Sequence, residues 1–560
     1  MSDPSALLAP DGPGPVLHWG LAALGLALGM SRVVIDLKRN QDEAAAQSDW
    51  RWGAFIFLIL LAGRWPWILD PHELNTDESQ MIAGAHSLVS HPVFWRTVDG
   101  STSGPMNFFA VIPLGAVTGW EGFFHTRILA WLLLGVALCG LYYGMARLHG
   151  RTAARLAVLP ALAIEGLSRS VDFQHYSTEL LPLALMGTAF HLMLRGHVRG
   201  LSPLATGAGG VLLGLVPLAK LQAVPLAAMQ GAVWIALLLL AWRRRAPQSV
   251  ARLAYLGAGA LLPAAAFALQ VGIAGEWDNM LKTYVLANRY YVEIGGVQDS
   301  TKFHLVLTLL REGLPAAESL RLMAVGLVLG ALFSVRRLLR APAPCLLALA
   351  ATLVAAVSVA LPGRDYPHYL QLMILPLTWL AATLLDPLLQ DRAKPWPKRA
   401  FAFAIPLYVV TVLGTRITPQ ALPFALGNTL TSAQAFARQV GEHIRPDEKL
   451  AVWGWSSYVY VDTRTTQATR RAMSQLMFEP GPLRLHFRRQ YLEDLMRSEP
   501  VVFVDSTGPM SLYYHNPALR HEAQFPALAA YIAAHYTLVG EYRRARIYRR
   551  NEAAAAANSP

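Results

Sequence analysis

The sequence predicts an all-α membrane protein with many transmembrane helices, followed by a small C-terminal α/β domain. Of the 560 residues, 54% are hydrophobic and only 15% are charged, whereas soluble proteins carry about 25% charged residues. Apolar runs recur as far as residue 415, and each is long enough to cross a hydrocarbon core of about 30 Å. The remaining residues alternate short strand-like and helix-like segments, which is typical of a soluble domain.

These apolar runs predict about twelve transmembrane helices. The predicted spans are residues 17–34, 52–69, 124–147, 153–168, 179–196, 203–219, 222–242, 252–273, 319–336, 343–361, 369–388 and 399–415. The predicted regions are an N-terminal extra span with a cytoplasmic loop (1–51), a membrane catalytic module (52–415) whose first outer loop is 70–123, an α/β domain (416–550) and a disordered tail (551–560).

The charge distribution predicts which helix ends face the cytoplasm. The formal net charge is +12, and most Lys and Arg residues lie in short loops between apolar runs or near the C-terminus. Membrane topology explains this pattern better than nucleic-acid binding does, because basic loops usually face the cytoplasm. The basic loops are every second loop, and therefore lie on one side of the membrane, if the short apolar segment 106–118 forms a juxtamembrane or re-entrant helix rather than a span. The outer loops are then 70–123, 169–178, 220–222, 274–318 and 362–368.

The same topology places the C-terminal domain on the outer side. Residues 450–453 and 501–505 are predicted to form buried strands, residues 432–444 and 484–498 amphipathic helices, and residues 537–548 a terminal hairpin. We therefore expect a multi-pass protein of the bacterial inner membrane whose working face is periplasmic or extracellular.

The first outer loop contains two adjacent carboxylates, Asp77 and Glu78, directly after the apolar segment 52–69. One interpretation is structural, with Thr76 or Asp77 capping a helix that begins near Glu78. The other is catalytic and compatible with the first. A helix N-terminus holds a carboxylate ionised and fixed in direction, as a general base requires.

Other polar side chains of the outer loops are candidates for binding a sugar or its acceptor. The turn 98–105 is rich in glycine and hydroxyl groups, and the loop 168–179 concentrates hydrogen-bonding groups between two apolar runs. A carboxylate that opens a span, such as Glu179, usually faces a cavity or a partner. No convincing metal-ligand spacing is present, so we expect no metal site and no required cofactor, although a divalent cation is possible. The candidates are Asp99, Asp172, Gln174, His175, Tyr176, Glu179, Gln222 and Tyr369.

Two outer positions supply cations for a phosphate. Lys220 lies between two apolar spans with almost no loop. One interpretation is structural, with the long side chain of Lys220 reaching the outer membrane–water interface. However, outer loops usually avoid lysine. Arg364 offers a planar fork for phosphate, with Asp365 as its alternative local partner, and His368 follows in the same loop. We predict that Lys220, Arg364 and His368 bind a phosphate at the level of the lipid headgroups.

Together these elements resemble the GT-C superfamily of membrane glycosyltransferases, in particular the branch that holds the protein O-mannosyltransferases and the lipid A aminoarabinose transferase. The resemblance covers most of the chain. It rests on the acidic pair of the first outer loop, the stretch that follows it, two polar outer loops and the C-terminal domain. The matching segments are Asp77-Glu78, 104–109, 172–176, Gly363-Arg364 and His368-Tyr369.

The resemblance implies a glycosyltransferase that moves a hexose or pentose, with inversion, from a polyprenyl-phosphate carrier to an acceptor hydroxyl on the outer face of the membrane. Asp77 matches the family's catalytic acid position and would be the general base, with Glu78 in support. The implied partners are the lipid-linked sugar, a lipid, glycan or protein acceptor, and membrane lipids, with no nucleic acid. Ser79-Gln80-Met81 replaces the aromatic-rich pattern of that branch, so neither donor nor acceptor transfers from it.

Three alternatives stay open from the sequence. A transporter or flippase for a lipid-linked saccharide would show internal repeats and polar groups near the midplane, but the acidic pair has no second copy. A polysaccharide polymerase or ligase would use a diphosphate-linked donor, and Lys282, Arg289, Lys302 and Arg311 of the loop 274–318 suit that donor. A non-catalytic scaffold would leave the acidic pair and the Lys220 corner unexplained.

Overall fold

The computed structural model of the chain describes residues 7–9, 12–39, 49–168, 170–294, 342–390 and 430–551, together with residues 396, 400, 404, 423 and 424. The predicted spans 319–336 and 399–415 therefore lie outside the described residues, apart from single positions.

Helices make up most of the described chain before residue 430. In chain order they are α1 Gly14–Arg39, α2 Trp50–Leu69, α3 Thr76–Ser90, α4 Pro105–Thr118, α5 Phe124–Leu167, α6 Val171–Gln174, α7 Leu180–Arg199, α8 Pro203–Ala219, α9 Val224–Arg243, α10 Ser249–Ala274, α11 Trp277–Met280, α12 Asn288–Ile294, α13 Ala343–Ala360 and α14 Ile374–Gln390. Short 3-10 turns at Leu221–Ala223 and Pro367–Met373 lead into α9 and α14, and a π-helical turn at Leu281–Ala287 joins α11 to α12.

The helix boundaries follow from local sequence. Pro105 occupies the first turn of α4, where its missing N–H costs nothing. The hydroxyl of Ser202 caps α8 by accepting from the backbone N–H of Ala205. Within α5, Gly150 adopts φ 80° and ψ 160°, a conformation that interrupts the helix and that glycine adopts most readily. This break separates the predicted spans 124–147 and 153–168.

Among the described residues, seven helical segments are long and apolar enough to cross a membrane: Gly14–Asp36, Trp50–Leu69, Phe124–Leu167, Leu221–Arg243, Ser249–Ala274, Ala343–Ala360 and Pro367–Pro387. The predicted spans 179–196 and 203–219 coincide with α7 and α8, which are not among these seven. With 17 residues, α8 is short for a span. The segment expected to form a short helix at 106–118 does so as α4, over 14 residues.

Residues 430–551 form a five-stranded sheet with helices. The elements are α15 Ser432–Gly441, β1 Lys449–Trp453, α16 Tyr458–Thr463, β2 Thr466–Gln467, α17 Gln475–Phe478, α18 Arg484–Ser498, β3 Val502–Asp505, α19 His521–Gln524, α20 Pro526–His535, β4 Tyr536–Tyr542 and β5 Ala545–Arg550. The strand order is β2-β1-β3-β5-β4. β1 runs parallel to both β2 and β3, and β5 is antiparallel to β3 and β4.

Both faces of this sheet are covered, which explains why its central strands are continuously apolar. Leu450 and Val452 of β1 belong to a cluster with Phe436 of α15, whereas the alternating Ala451 and Trp453 pack in a second cluster with residues of α18. The strands predicted at 450–453 and 501–505 and the hairpin predicted at 537–548 are thus β1, β3 and β4–β5.

The described contacts divide the chain into two compact units. Unit 1 comprises Met1–Asp70, Ala130–Phe267 and Ile294–Gly427, and unit 2 comprises Pro71–Leu129, Ala268–Glu293 and Asn428–Pro560. Asp77, Glu78 and Asp99 belong to unit 2. The other candidate residues belong to unit 1.

Candidate active site

The acidic pair occupies the first turn of α3 in unit 2. The helix begins at Thr76, and the side chain of Asn75 caps it by accepting from the backbone N–H of Asp77 at 2.9 Å. The expectation that Thr76 or Asp77 would be the cap is therefore wrong, because Asn75 lies in extended conformation just before the first turn and its short amide reaches that N–H. Asp77, as the second helical residue, is half-buried, and the helix N-terminus favours its negative charge.

Glu78 is in a different environment from its neighbour. Its side chain is fully buried and forms an ion pair with the equally buried Arg127, with Nη2 and Oε2 3.1 Å apart. Arg127 Nε also donates to both carboxylate oxygens, at 3.2 and 3.3 Å, and the hydroxyl of Thr126 donates to Oε1 at 2.8 Å. With both oxygens engaged, Glu78 is suited to fixing the first turn of α3 rather than to exchanging protons.

Two carboxyl groups near this turn were missed by sequence reasoning. Glu73 is half-buried and accepts a short hydrogen bond from the hydroxyl of Ser79. Burial raises its pKa to about 8, and the nearby charges of Asp462 and Glu78 act in the same direction. Asp462 lies near the end of α16, and desolvation by the surrounding protein raises its pKa to about 7. No sequence signal links the two, because 389 positions separate them along the chain.

Asp99 lies in the turn 98–105 and pairs inside unit 2 with Arg471. Both side chains are almost fully buried. One carboxylate oxygen accepts from the guanidinium, and the other accepts from the backbone N–H of Ser101 at 2.9 Å. This arrangement favours a structural role for Asp99, which ties the turn 98–105 to the segment after β2, over contact with a sugar or an acceptor.

In unit 1, the Lys220 corner contacts two other predicted segments. The Lys220 ammonium lies 2.9 Å from Oε1 of Glu179 and donates to the hydroxyl of Thr178 at 2.5 Å. It also lies 5.1 Å from the centroid of the Tyr369 ring, a distance at which a cation is attracted to an aromatic face. Three separate parts of the chain, all singled out from the sequence, therefore meet around one buried cation.

Asp172 and His368 form a second contact between these loops. His368 Nδ1 is 3.3 Å from Oδ1 of Asp172, and its ring packs edge-on against His175 and Tyr369, with centroids 5.6 and 4.9 Å apart. Asp172 is half-buried and His368 is buried. Arg364 is half-buried in the preceding turn. The polar loops 168–179 and 362–368 are thus neighbours, which their sequence separation does not reveal.

The remaining candidates make contacts that hold the backbone. Gln222 donates to the carbonyl of Ser358 at 2.9 Å, Gln174 donates to that of Ser168 at 2.8 Å, and His175 Nδ1 lies 3.0 Å from the carbonyl of Val171. Tyr176 is fully buried.

A buried arginine of α2 holds the same loop and was not recognised in the sequence. The guanidinium of Arg64 donates to the carbonyls of Phe173 and Gln174, each at 2.7 Å, and to that of Glu165 at 2.8 Å. The buried carboxylate of Glu165 lies 3.9 Å from it and accepts from Gln371 at 3.3 Å. The available signal was the presence of Arg64 and Glu165 inside apolar runs, because ionisable residues there are rare and usually functional.

Among the residues that the structure describes, no three His, Cys, Asp or Glu side chains are grouped so that they could hold a metal ion.

Comparisons with known proteins find similarity in structure only. No family model matches the sequence, and neither does any curated protein. Crystal structures of ArnT from Cupriavidus metallidurans are similar over nearly their whole length. The form bound to undecaprenyl phosphate gives a TM-score of 0.55 at 14% identity, covering 90% of this chain and 99% of that one. The apo form gives 0.53 at 16% identity, covering 92% and 100%.

The crystal structure of the Archaeoglobus fulgidus oligosaccharyltransferase has a TM-score of 0.40 at 12% identity, covering 81% of this chain and 67% of that one. Identities this low show the fold alone. The chain therefore has a fold like that of ArnT.

Proposed function

We propose that the protein is a membrane glycosyltransferase that moves a sugar from a polyprenyl-phosphate carrier to an acceptor hydroxyl on the outer face of the inner membrane. The observation that carries the proposal is the placement of Asp77 in the first turn of α3, beside a Glu78 fixed by Arg127. The fold resembles that of ArnT, which has been crystallised with undecaprenyl phosphate. This similarity supports a polyprenyl-phosphate carrier as the donor.

In the proposed reaction, Asp77 removes the proton of the acceptor hydroxyl while its oxygen attacks the anomeric carbon of the donor sugar. The bond between that carbon and the phosphate oxygen breaks, and the lipid phosphate leaves with the electron pair. A single displacement inverts the anomeric configuration and needs one base, not the carboxylate pair of a retaining hydrolase. The partial exposure of Asp77 to solvent and its position at a helix N-terminus suit it to this role.

The leaving phosphate needs fixed positive charge as its own charge grows. We assign this task to Lys220 and Arg364, together with His368, which lies four positions after Arg364 and in the same unit. Lys220 already shares its charge with Glu179, so its contribution is smaller than an isolated ammonium would give. Arg364, whose planar guanidinium can bind a phosphate with two parallel hydrogen bonds, then carries a larger part of the binding.

We propose that Glu78 and Asp99 do not touch substrate. Both are buried and ion-paired, so we assign Glu78 to positioning the first turn of α3 and Asp99 to holding the loop that follows. Glu179 and Tyr369 remain candidates for shaping the phosphate-binding group of unit 1, because both contact Lys220.

The test is the Asp77→Asn variant, purified in detergent and assayed for sugar transfer from a polyprenyl-phosphate donor. We expect turnover to fall more than a hundredfold, the usual scale for losing a positioned base, with an unchanged melting temperature. Analysis of the lipids and glycans of a deletion strain complemented with wild type or Asp77→Asn identifies the product. Asp447→Asn, an exposed carboxylate of unit 2, is the matched control. Near-wild-type transfer by Asp77→Asn would overturn the assignment.

A further inference from the structure

Unit 2 contains a polar cavity away from the first turn of α3. Its volume is about 310 Å³, which lies within the range of ligand pockets, roughly 300–1,000 Å³. It is formed where the C-terminal end of α3 covers the edge strand β2, and a hydrogen bond of 2.9 Å from the backbone N–H of Gln467 to the hydroxyl of Ser87 joins the two. The last turn of α18 forms another wall, through Arg497 and Ser498.

The cavity carries an excess of positive charge. Four cationic side chains line it, namely Arg96, Lys449, Arg470 and Arg497. Their ion-pair partners among the described residues are two carboxylates. Asp494 pairs with both Arg470 and Arg497, at 2.8 and 2.7 Å, and Glu276 pairs with Arg96 at 2.6 Å. The cavity therefore favours an anion, and the exposed ends of Lys449 and Arg497 can approach it without breaking the buried pair of Arg470.

Hydroxyl and amide groups make up much of the remaining wall. Ser90, Thr97, Thr466, Ser498 and Gln467 all line the cavity, and groups of this kind exchange hydrogen bonds with sugar hydroxyls. No Phe, Tyr or Trp is among the described lining residues. Nucleic-acid bases are usually held by stacking on such rings. The lining therefore suits a charged saccharide better than a nucleotide or an RNA.

We propose that this cavity binds the acceptor of the transfer reaction, and that the acceptor is a saccharide with carboxylate or phosphate groups. This inference rests on the proposed function for the identity of the acceptor. One helix links the two places, since Asp77 is at the start of α3 and Ser87 and Ser90 are near its end. At 1.5 Å per residue, this separation is about 15–20 Å. An acceptor of several sugar units spans it, with its charged part in the cavity and its reacting hydroxyl near Asp77.

The experiment measures binding to the full chain in lipid nanodiscs by calorimetry at low salt. Tri-galacturonic acid and glucose 6-phosphate are the anionic probes, which distinguish carboxylate from phosphate recognition. Maltotriose tests the sugar without charge, and inorganic phosphate tests charge without sugar. We expect at least one anionic probe to bind about tenfold more tightly than either control, with an affinity that falls as salt screens the charges.

Lys449→Ala and Arg497→Ala are each expected to weaken the binding of that probe roughly two- to fivefold, the scale of a partly exposed charge contact. Arg489→Ala, which removes an exposed arginine from the same helix as Arg497 but outside the cavity, should have no effect. Equal affinities for charged and neutral probes, or equal losses in all three variants, would overturn the proposal. Because Asp77→Asn leaves the cavity intact, normal binding by that variant separates this inference from a failure of the proposed transfer reaction.

Discussion

The buried ion pair between Glu78 and Arg127 predicts that Glu78→Gln destabilises the protein. Both side chains are 0% exposed, so the substitution leaves an uncompensated guanidinium in the protein interior. Removing one partner of such a pair lowers the free energy of unfolding by about 3–5 kcal/mol. For units of about 150–250 residues, each kcal/mol lowers the melting temperature by roughly 2–4 °C. We therefore expect Glu78→Gln to melt about 6–20 °C below wild type.

Differential scanning fluorimetry of the purified chain in detergent measures this shift. The matched control is Glu121→Gln in the same unit. Glu121 also pairs with an arginine at 2.8 Å, but its side chain is 71% exposed, and exposed pairs contribute about 1 kcal/mol or less. A double variant, Glu78→Leu with Arg127→Met, should lie closer to wild type than either single change, because it removes both buried charges. If Glu78→Gln had the same melting temperature as Glu121→Gln, the buried ion pair would be refuted.

Three further predictions concern other parts of the structure. Lys220→Ala should weaken donor binding and also lower the melting temperature, because Glu179 would remain buried without its cation. Since burial raises the pKa of Glu73 from 4.5 to about 8, the folded state keeps a proton that the unfolded state releases, and stability should fall as pH rises between those values. Gly63→Ala should destabilise unit 1, because a Cβ atom there would lie 2.2 Å from the carbonyl oxygen of Gly166.

Each of these predictions has a control within the chain. Lys220→Ala is compared with a Glu179→Gln/Lys220→Met double variant, which should recover stability but not donor binding. Glu73→Gln should flatten the decline of melting temperature between pH 5 and 8, and a slope equal to that of wild type would contradict the raised pKa. Gly257→Ala is the control for Gly63→Ala, because a Cβ atom at position 257 meets no atom within 4 Å. Equal melting temperatures for the two alanine variants would show that the close approach is absent.

The main elements of the fold could be read from the sequence because each is specified locally. Apolar runs mark the long helices, among them α2, α9, α10 and α13, alternate basic loops suggest their orientation, and short apolar runs mark β1 and β3. The first turn of α3 was recognised from its two carboxylates, although the cap falls on Asn75. These features depend on hydrophobic periodicity and on backbone hydrogen bonding over a few residues.

The roles of individual charges depended on distant parts of the chain. Glu78 and Asp77 are neighbours of similar chemistry, but Arg127, which neutralises Glu78, follows 49 positions later. Arg64 is bound to carbonyl groups more than 100 positions away, and Lys220 meets Glu179 and Tyr369 from separate loops.

Local sequence therefore decided where the helices, strands and polar loops lie, because hydrophobic burial and capping act over short distances along the chain. Only the tertiary structure decided which ionisable groups are buried in pairs and which face water. The energy of a charge depends on the atoms that surround it in space, and the sequence does not order those atoms by distance.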